Sequence, residues 1–152
     1  MSAWACAVAA LVLCSACAGA PPPSGAGTAL KPCPSSPNCV SSRASDPGRR
    51  VDPLPLRGSA TEGLAAVRRV ILAMPRSRIA AEGADFIRAE FRSPIFRFVD
   101  DVDVVVDEPA GVIHIRSAAR VGYSDMGVNR RRVGEIRGRL TGTEPPAAGE
   151  KR

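Results

Sequence analysis

Four segments rich in β-branched and aromatic residues, separated by short connections, constrain the fold of this chain most strongly. The segments are residues 78–82, 86–92, 96–106 and 112–118. The connections between them contain Gly83, Ser93-Pro94 and Glu108-Pro109-Ala110-Gly111, all typical of turns. Strands joined by such short connections pair in antiparallel fashion. We therefore predict an antiparallel sheet of about four strands.

A helix is predicted before this strand region. Ser59 and Glu62 have the spacing of a capping box, in which the serine hydroxyl accepts from the backbone amide of the glutamate and the glutamate reaches back. Apolar residues then recur at helical spacing until Pro75. Because a proline cannot continue a helix, the pattern predicts a helix over residues 60–73.

A second helix is predicted after the strands. Apolar residues recur at helical spacing from Val128 to Leu140, and Ser124 or Asp125 lies near the predicted N-terminus. The fold class is therefore α+β, an antiparallel sheet flanked by an N-terminal and a C-terminal helix that pack on one face.

The N-terminal region has the features of an export signal. The chain is apolar from Ala3 to Leu13, and no charged side chain precedes Lys31. That run is too short to span a bilayer but suits the apolar region of a signal peptide. It ends in Leu-Cys-Ser-Ala-Cys, residues 13–17, which resembles a lipobox. We predict a signal peptide over residues 1–17, lipidation of Cys17 and anchoring in the membrane of the cell envelope.

Ordinary signal cleavage is the alternative to lipidation. Cleavage after Ala18 or Ala20 fits the A-x-A pattern and would leave a soluble periplasmic or secreted protein. After the signal, residues 18–30 contain mainly alanine, glycine, proline, serine and threonine, which predicts a flexible tether. Residues 31–140 are then a single α+β domain, and residues 141–152 a disordered tail.

The cysteine count agrees with export. Five cysteines would leave one thiol unpaired in an oxidising compartment. Loss of Cys6 and Cys14 with the signal, and lipidation of Cys17, leaves Cys33 and Cys39 to form a disulfide. A zinc site at these two cysteines would need two further ligands, and a redox site would favour C-x-x-C spacing. The disulfide is therefore the favoured interpretation.

Charged residues alternate with apolar ones in two of the predicted strands. Side chains two residues apart share a face of a strand, so Arg88 lies beside Glu90 and Asp101 beside Asp103. The functional interpretation is a carboxylate pair for acid–base chemistry or a cation site. The favoured interpretation is a set of cross-strand ion pairs. We predict a charged network of Arg88, Glu90, Asp100 and Asp101.

An arginine-rich segment joins the last strand to the C-terminal helix. Amides at a helix N-terminus favour anions, and arginines add bidentate donors. Arginine in a first helical turn also opposes the helix dipole, so these side chains need carboxylates of the sheet or a bound anion. The candidate ligand-binding residues are Arg116, Arg120, Tyr123, Ser124, Asp125, Asn129, Arg130 and Arg132.

Common catalytic motifs do not occur in the sequence. His114 is the only histidine, and there is no G-x-S-x-G elbow, glycine-rich phosphate loop or H-E-x-x-H motif. We predict no catalytic residue, metal ligand or cofactor. The net charge of +6 can indicate nucleic acid, but only 4% of the residues are aromatic and export removes that partner. Anionic head groups or envelope polymers are the expected neighbours, and the specific partner is unknown.

Four segments carry a resemblance to a known family. They are Cys33 to Ser42, Arg-Ala-Glu-Phe at 88–91, Phe-Val-Asp-Asp-Val at 98–102, and the long run Arg116 to Arg132. In these segments the chain resembles the domain-of-unknown-function family numbered 1499. It departs from the family pattern at Ala119, where serine is usual, and at Asp103, where glutamate is usual. The resemblance implies a small, often exported protein and assigns no activity.

Three functional hypotheses follow. The favoured one is a non-catalytic envelope module that binds an anionic ligand or partner through the arginine-rich junction. The second is an envelope hydrolase that uses Asp100, Asp101, Tyr123 and Asp125. The third is a purely structural protein in which the charged residues specify the fold.

Overall fold

The computed structural model describes residues 30–143, which form an antiparallel sheet with two helices on one face. The elements are β1 (Cys39–Ser41), β2 (Leu54–Pro55), α1 (Ala60–Ala73), β3 (Ser77–Glu82), β4 (Phe86–Arg92), β5 (Val99–Asp107), β6 (Val112–Ala119) and α2 (Val128–Thr141). The strand order is β1-β6-β5-β4-β3. Strand β2 also pairs with β6, on the same edge as β1: β1 pairs with residues 116–118 and β2 with residues 112–113.

The α+β class is confirmed, but the sheet has six strands rather than four. The two additional strands, β1 and β2, are three and two residues long, too short to produce an alternating pattern. The third of the predicted strands, β5, is shorter at its start than predicted. It starts at Val99 rather than at Phe96, because residues 94–97 form the turn between β4 and β5.

The capping box at the start of α1 is confirmed. The Ser59 hydroxyl accepts from the Glu62 backbone amide at 3.3 Å, and the Glu62 carboxylate accepts from the Ser59 amide at 2.8 Å. The Ser59 amide and the Ser59 hydroxyl both donate to the Glu62 carboxylate, and these two bonds lower the pKa of Glu62. Helix α2 starts after Gly127, which adopts a left-handed conformation with φ of 77°. Asp125 precedes it and accepts from the backbone amides of Gly127 and Asn129.

The core lies between the helices and one face of the sheet. Alternate residues of β4, β5 and β6 are buried there against α1 and α2, whose Val67, Ile71, Val133 and Ile136 are at most 1% exposed. Full burial of such side chains contributes about 1.5–3 kcal/mol each. Because strand side chains alternate, this arrangement places the intervening charged residues on the opposite face, which we call the open face.

No helix within residues 30–143 is long and apolar enough to cross a membrane. Helix α2 extends to Thr141, one residue beyond the predicted end of the domain. The predicted signal peptide, the lipidation site Cys17, the tether as far as residue 29, and residues 144–152 lie outside the described residues.

Candidate functional site

The open face carries two rows of opposite charges that run across neighbouring strands. In one row Arg78, Glu90 and Asp101 are aligned on β3, β4 and β5. In the other row Asp103 on β5 lies between Arg88 on β4 and Arg116 on β6. Opposite charges at directly paired positions, such as Arg78 and Glu90, stabilise a sheet. Glu90 and Asp101 are instead like charges at paired positions, and Arg120 bridges them.

Glu90 is the centre of the first row and is only 5% exposed. Burial would raise its pKa, but hydrogen bonds from Arg120 and Arg78 outweigh that effect and lower the pKa of Glu90 below its usual value. Both arginines approach the carboxylate to 2.6 Å. Arg120 also donates to Asp101, and its bonds to the two carboxylates raise the pKa of Arg120. Arg120 therefore connects β6 to β4 and β5 and remains charged.

Asp103 is the centre of the second row and is 8% exposed. It accepts from Arg88 at 2.8 Å and from Arg116 at 3.3 Å. The side chain of Arg116 is itself largely buried and makes no other hydrogen bond within residues 30–143. Its Nε atom is buried without a hydrogen-bond partner. Among residues 30–143, the guanidinium of Arg116 therefore has donors without a partner.

A shallow cavity of about 230 Å³ lies between the two rows. Its lining consists of Lys31, Arg88, Asp101, Asp103, Arg116, Ala118, Ala119 and Arg120. Four of these side chains are cationic and two are anionic, which leaves an excess of two positive charges. Lys31 forms no ion pair with any residue that the structure describes. We call this site the open-face cavity.

The four arginines of the predicted junction do not converge. Arg116 and Arg120 line the open-face cavity. Arg130 instead donates to the backbone carbonyls of Arg50 and Gly48, at 2.9 and 2.6 Å. Arg132 lies on the helix-covered face.

Arg132 belongs to a polar network between α2 and the sheet. It donates to Asp100 and to Asn129, both at 2.7 Å, and lies 4.7 Å from the centre of the Phe91 ring. Asn129 is fully buried, accepts from Ser117 and donates to the carbonyl of Asn38. This network fixes α2 on β6 and satisfies the polar groups that the helix buries.

The remaining candidate ligand residues have local roles. Tyr123 is 77% exposed. The Ser124 hydroxyl accepts from the Met126 amide at 3.3 Å. The amides of Asn129 and Gly127 lower the pKa of Asp125 against the opposing effect of its burial. None of these residues lines the open-face cavity.

The residues of the predicted charged network lie on two faces. Arg88, Glu90 and Asp101 lie on the open face, whereas Asp100 pairs with Arg132 on the helix-covered face. Adjacent residues in a strand point to opposite sides of the sheet. The hydrolase hypothesis required Asp100 and Asp101 in one cleft, and the structure separates them by the sheet itself.

A serine–histidine–aspartate arrangement lies near the edge of the sheet and was not predicted. The Ser42 hydroxyl lies 3.1 Å from Nδ1 of His114, and Nε2 of His114 lies 3.4 Å from an oxygen of Asp107. Ser42 is 6% exposed, and its hydroxyl also accepts from the Ile115 backbone amide. Burial and the charge of Arg43 lower the pKa of His114, while Asp107 opposes that shift. Because the hydroxyl is buried and already bonded to backbone, the arrangement attaches the segment after β1 to β6.

The predicted disulfide between Cys33 and Cys39 is confirmed. It closes a loop whose last residue, Asn38, reaches the arginine-rich junction. The side chain of Asn38 donates to the carbonyl of Gly122, and its own carbonyl accepts from the Ala119 amide. The disulfide loop is therefore hydrogen-bonded to the arginine-rich junction through Asn38. Within residues 30–143, no three His, Cys, Asp or Glu side chains are grouped to hold a metal ion.

A family model described as "Protein of unknown function (DUF1499)" matches residues 29–140. No curated protein matches the chain.

Proposed function

We propose that this chain, which belongs to the DUF1499 family of proteins of unknown function, is a cell-envelope lipoprotein whose domain binds a small anionic group without catalysing a reaction. The proposed binding site is the open-face cavity. Its ligand is a phosphate or carboxylate group, either free or carried by a larger envelope molecule.

The observation that carries this proposal is the charge of the cavity lining. Asp101 and Asp103 balance only two of the four cations. A bound group with one or two negative charges would complete the balance, and guanidinium groups match the geometry of carboxylate and phosphate oxygens. The Arg116 side chain makes one hydrogen bond among residues 30–143, to Asp103, and lines the same cavity.

The proposed site contains only two of the four arginines predicted at the junction. Arg130 and Arg132 do not line the open-face cavity, because they bind backbone carbonyl groups and Asp100 elsewhere. Arg116 and Arg120 stay in the proposal, and Arg88 and Lys31 join them.

Titration calorimetry with inorganic phosphate tests this site. We expect saturable binding to the full chain at low ionic strength, and about fivefold weaker binding by Lys31→Gln, since an exposed charge contributes up to about 1 kcal/mol. Lys31 is the suitable position because its removal breaks no ion pair among the described residues. Arg130→Gln is the matched control, because it removes a charge from the junction outside the cavity. Absence of binding, or equal loss in both variants, would contradict the proposal.

The proposed membrane anchor has a separate test. Mass spectrometry of the mature protein should find Cys17 as the lipid-modified N-terminus. Substitution Cys17→Ser should release the protein from the membrane fraction, whereas Cys14→Ser should not. A mature N-terminus at residue 19 or 21 would instead indicate ordinary signal cleavage.

A structural role for the charged rows is the second candidate. The pairing of Glu90 and Asp103 with two arginines each favours it. Under this hypothesis Lys31→Gln leaves both stability and phosphate binding unchanged, so the same titration separates the two candidates.

A further inference from the structure

One end of the sheet presents a surface that differs from the open-face cavity. The β4–β5 turn and the β6–α2 loop leave the sheet side by side, because the Arg120 amide donates to the Val99 carbonyl at 3.0 Å. Large apolar side chains are exposed on both segments: Ile95, Phe96, Phe98, Val121, Tyr123 and Met126. Each of these is at least half exposed, and Met126 reaches 87%.

The two aromatic rings of the turn form a projecting pair. The centres of Phe96 and Phe98 lie 5.5 Å apart in a stacked arrangement. Arg97 lies between these two residues in the sequence, and its side chain has no acidic partner within residues 30–143. The turn contains no acidic residue. The loop contains one, Asp125, which already accepts hydrogen bonds from the backbone amides of Gly127 and Asn129 at the start of α2.

A groove of about 270 Å³ lies between the turn, the end of α1 and the start of α2. Arg76, Arg92, Arg131 and Arg132 line it together with Asp100 and Glu135, which again leaves two positive charges in excess. Asp100 is paired with Arg132, and Glu135 with Arg139. The exposed apolar side chains of the turn and the loop are therefore close in sequence to a cationic groove, which Pro94 and Val128 also line.

The backbone at this end is held in an unusual conformation. Arg76, Arg97 and Met126 have φ of 58°, 54° and 52°, and they are the only residues other than glycine with positive φ in the described part of the chain. Left-handed backbone is unfavourable for side chains with a Cβ atom, and such residues concentrate where ligands are held. All three lie in the turn, the loop or the groove.

We propose that this end of the domain docks on a membrane surface that contains anionic phospholipids. Aromatic side chains are favoured at the interface between water and lipid, where apolar groups enter the acyl boundary and arginines contact head groups. Stacked aromatic rings beside an arginine without an acidic partner among residues 30–143 match the apolar boundary and the anionic head groups of such a surface. The proposal does not depend on the open-face cavity.

A tryptophan placed at the tip tests the proposal. Trp4 is the only tryptophan, so the full chain with Trp4→Phe, Cys17→Ser and Phe96→Trp carries a single reporter and no lipid. With vesicles of phosphatidylglycerol and phosphatidylcholine, its emission should shift to shorter wavelength, and brominated lipid should quench it. Ala110→Trp is the control, because it places the reporter in the exposed β5–β6 turn at the other end of the sheet, about 25 Å away. That reporter should not respond.

Two further variants measure the contributions of charge and apolar surface. Arg97→Gln should weaken vesicle binding about fivefold, and Phe98→Ser about tenfold or more. Arg57→Gln, an exposed charge before α1 at the opposite end, should have little effect.

Three results would overturn the proposal. The first is an unchanged emission of the Phe96→Trp reporter with anionic vesicles, and the second is an equal effect of Arg57→Gln and Arg97→Gln. The third is the same shift without vesicles, whether it appears with glycerol phosphate alone or with rising protein concentration. Glycerol phosphate would indicate a head-group site independent of a bilayer, and concentration dependence would indicate docking between protein molecules.

Discussion

Arginines lie both on the open face and at the end of the sheet formed by the β4–β5 turn and the β6–α2 loop, which we call the projecting end. The two regions differ in burial and in the partners of these arginines. On the open face, Glu90 and Asp103 are nearly buried, and each accepts from two arginines. At the projecting end, Arg97 and the rings of Phe96 and Phe98 are exposed and lack comparable partners among residues 30–143. Charges satisfied inside the protein support its fold, whereas unsatisfied charges beside exposed apolar groups are available to other molecules. The comparison predicts different consequences for substitutions in the two regions.

The largest effect on stability is expected for Asp103→Asn. This change leaves the buried guanidinium of Arg116 without its carboxylate, which costs about 3 kcal/mol of unfolding free energy. Urea denaturation of the purified protein measures the loss. Arg97→Gln at the projecting end is the matched control and should change stability by less than about 0.5 kcal/mol. Similar losses in the two variants would remove the distinction between the regions.

Loss of the disulfide is expected to have the next largest effect. The double substitution Cys33→Ser and Cys39→Ser opens a loop of short sequence separation and should cost about 2 kcal/mol. Because Asn38 contacts Gly122 and Asn129, we also expect faster amide exchange in residues 119–124. Hydrogen-exchange mass spectrometry checks this. Unchanged exchange in residues 119–124, alongside a stability loss, would show that the loop does not support the junction.

A smaller, pH-dependent effect is expected from His114. Its lowered pKa means that the unfolded chain binds the proton more readily than the folded chain. The stability contribution is therefore complete above about pH 6.5, the ordinary value, and is lost as the pH falls through the lowered pKa. Urea midpoints measured between pH 4.5 and 8 should show this loss in the native protein. They should not show it in His114→Gln.

A second loss of stability at lower pH serves as the internal control for that series. The lowered pKa values of Glu90 and Asp125 predict that stability falls further as the pH drops below about 4.5. The variant His114→Gln should still lose stability below about pH 4.5. If the substitution left the loss near pH 6 in place, the Ser42–His114–Asp107 contact would not be its cause.

The smallest effect on stability is expected at the turn itself. Phe96→Ser removes a ring that is 73% exposed, so the unfolding free energy should change by less than about 0.5 kcal/mol. The same variant should lose vesicle binding about tenfold. Co-sedimentation with anionic vesicles, combined with urea denaturation, measures both quantities. A large stability loss would mean that the ring packs within the fold.

The elements predicted from sequence were those with local signals. The capping box and Pro75 define α1 to the residue, and alternation over seven residues defines β4. Strands β1 and β2 could not be predicted, because each is defined by pairing with β6 more than 50 residues away. Residues 96–98 were interpreted as strand, since Phe96 and Phe98 have high strand propensity although they are exposed.

The candidate site was predicted only in part, for a geometric reason. Proximity in sequence grouped Arg116, Arg120, Arg130 and Arg132, but strand alternation and helix rotation direct these side chains to different surroundings. Lys31 enters the open-face cavity through the path of the chain before β1, which no local pattern encodes. The contact between Ser42 and His114 likewise spans 72 residues.

The most direct test of the central claim follows the arginine Nε–H resonances by NMR during a titration with inorganic phosphate. The account predicts that the Arg116 and Arg120 signals shift together and saturate, while those of Arg130 and Arg132 stay in place. A uniform shift of all four, or no saturable shift at Arg116, would contradict it.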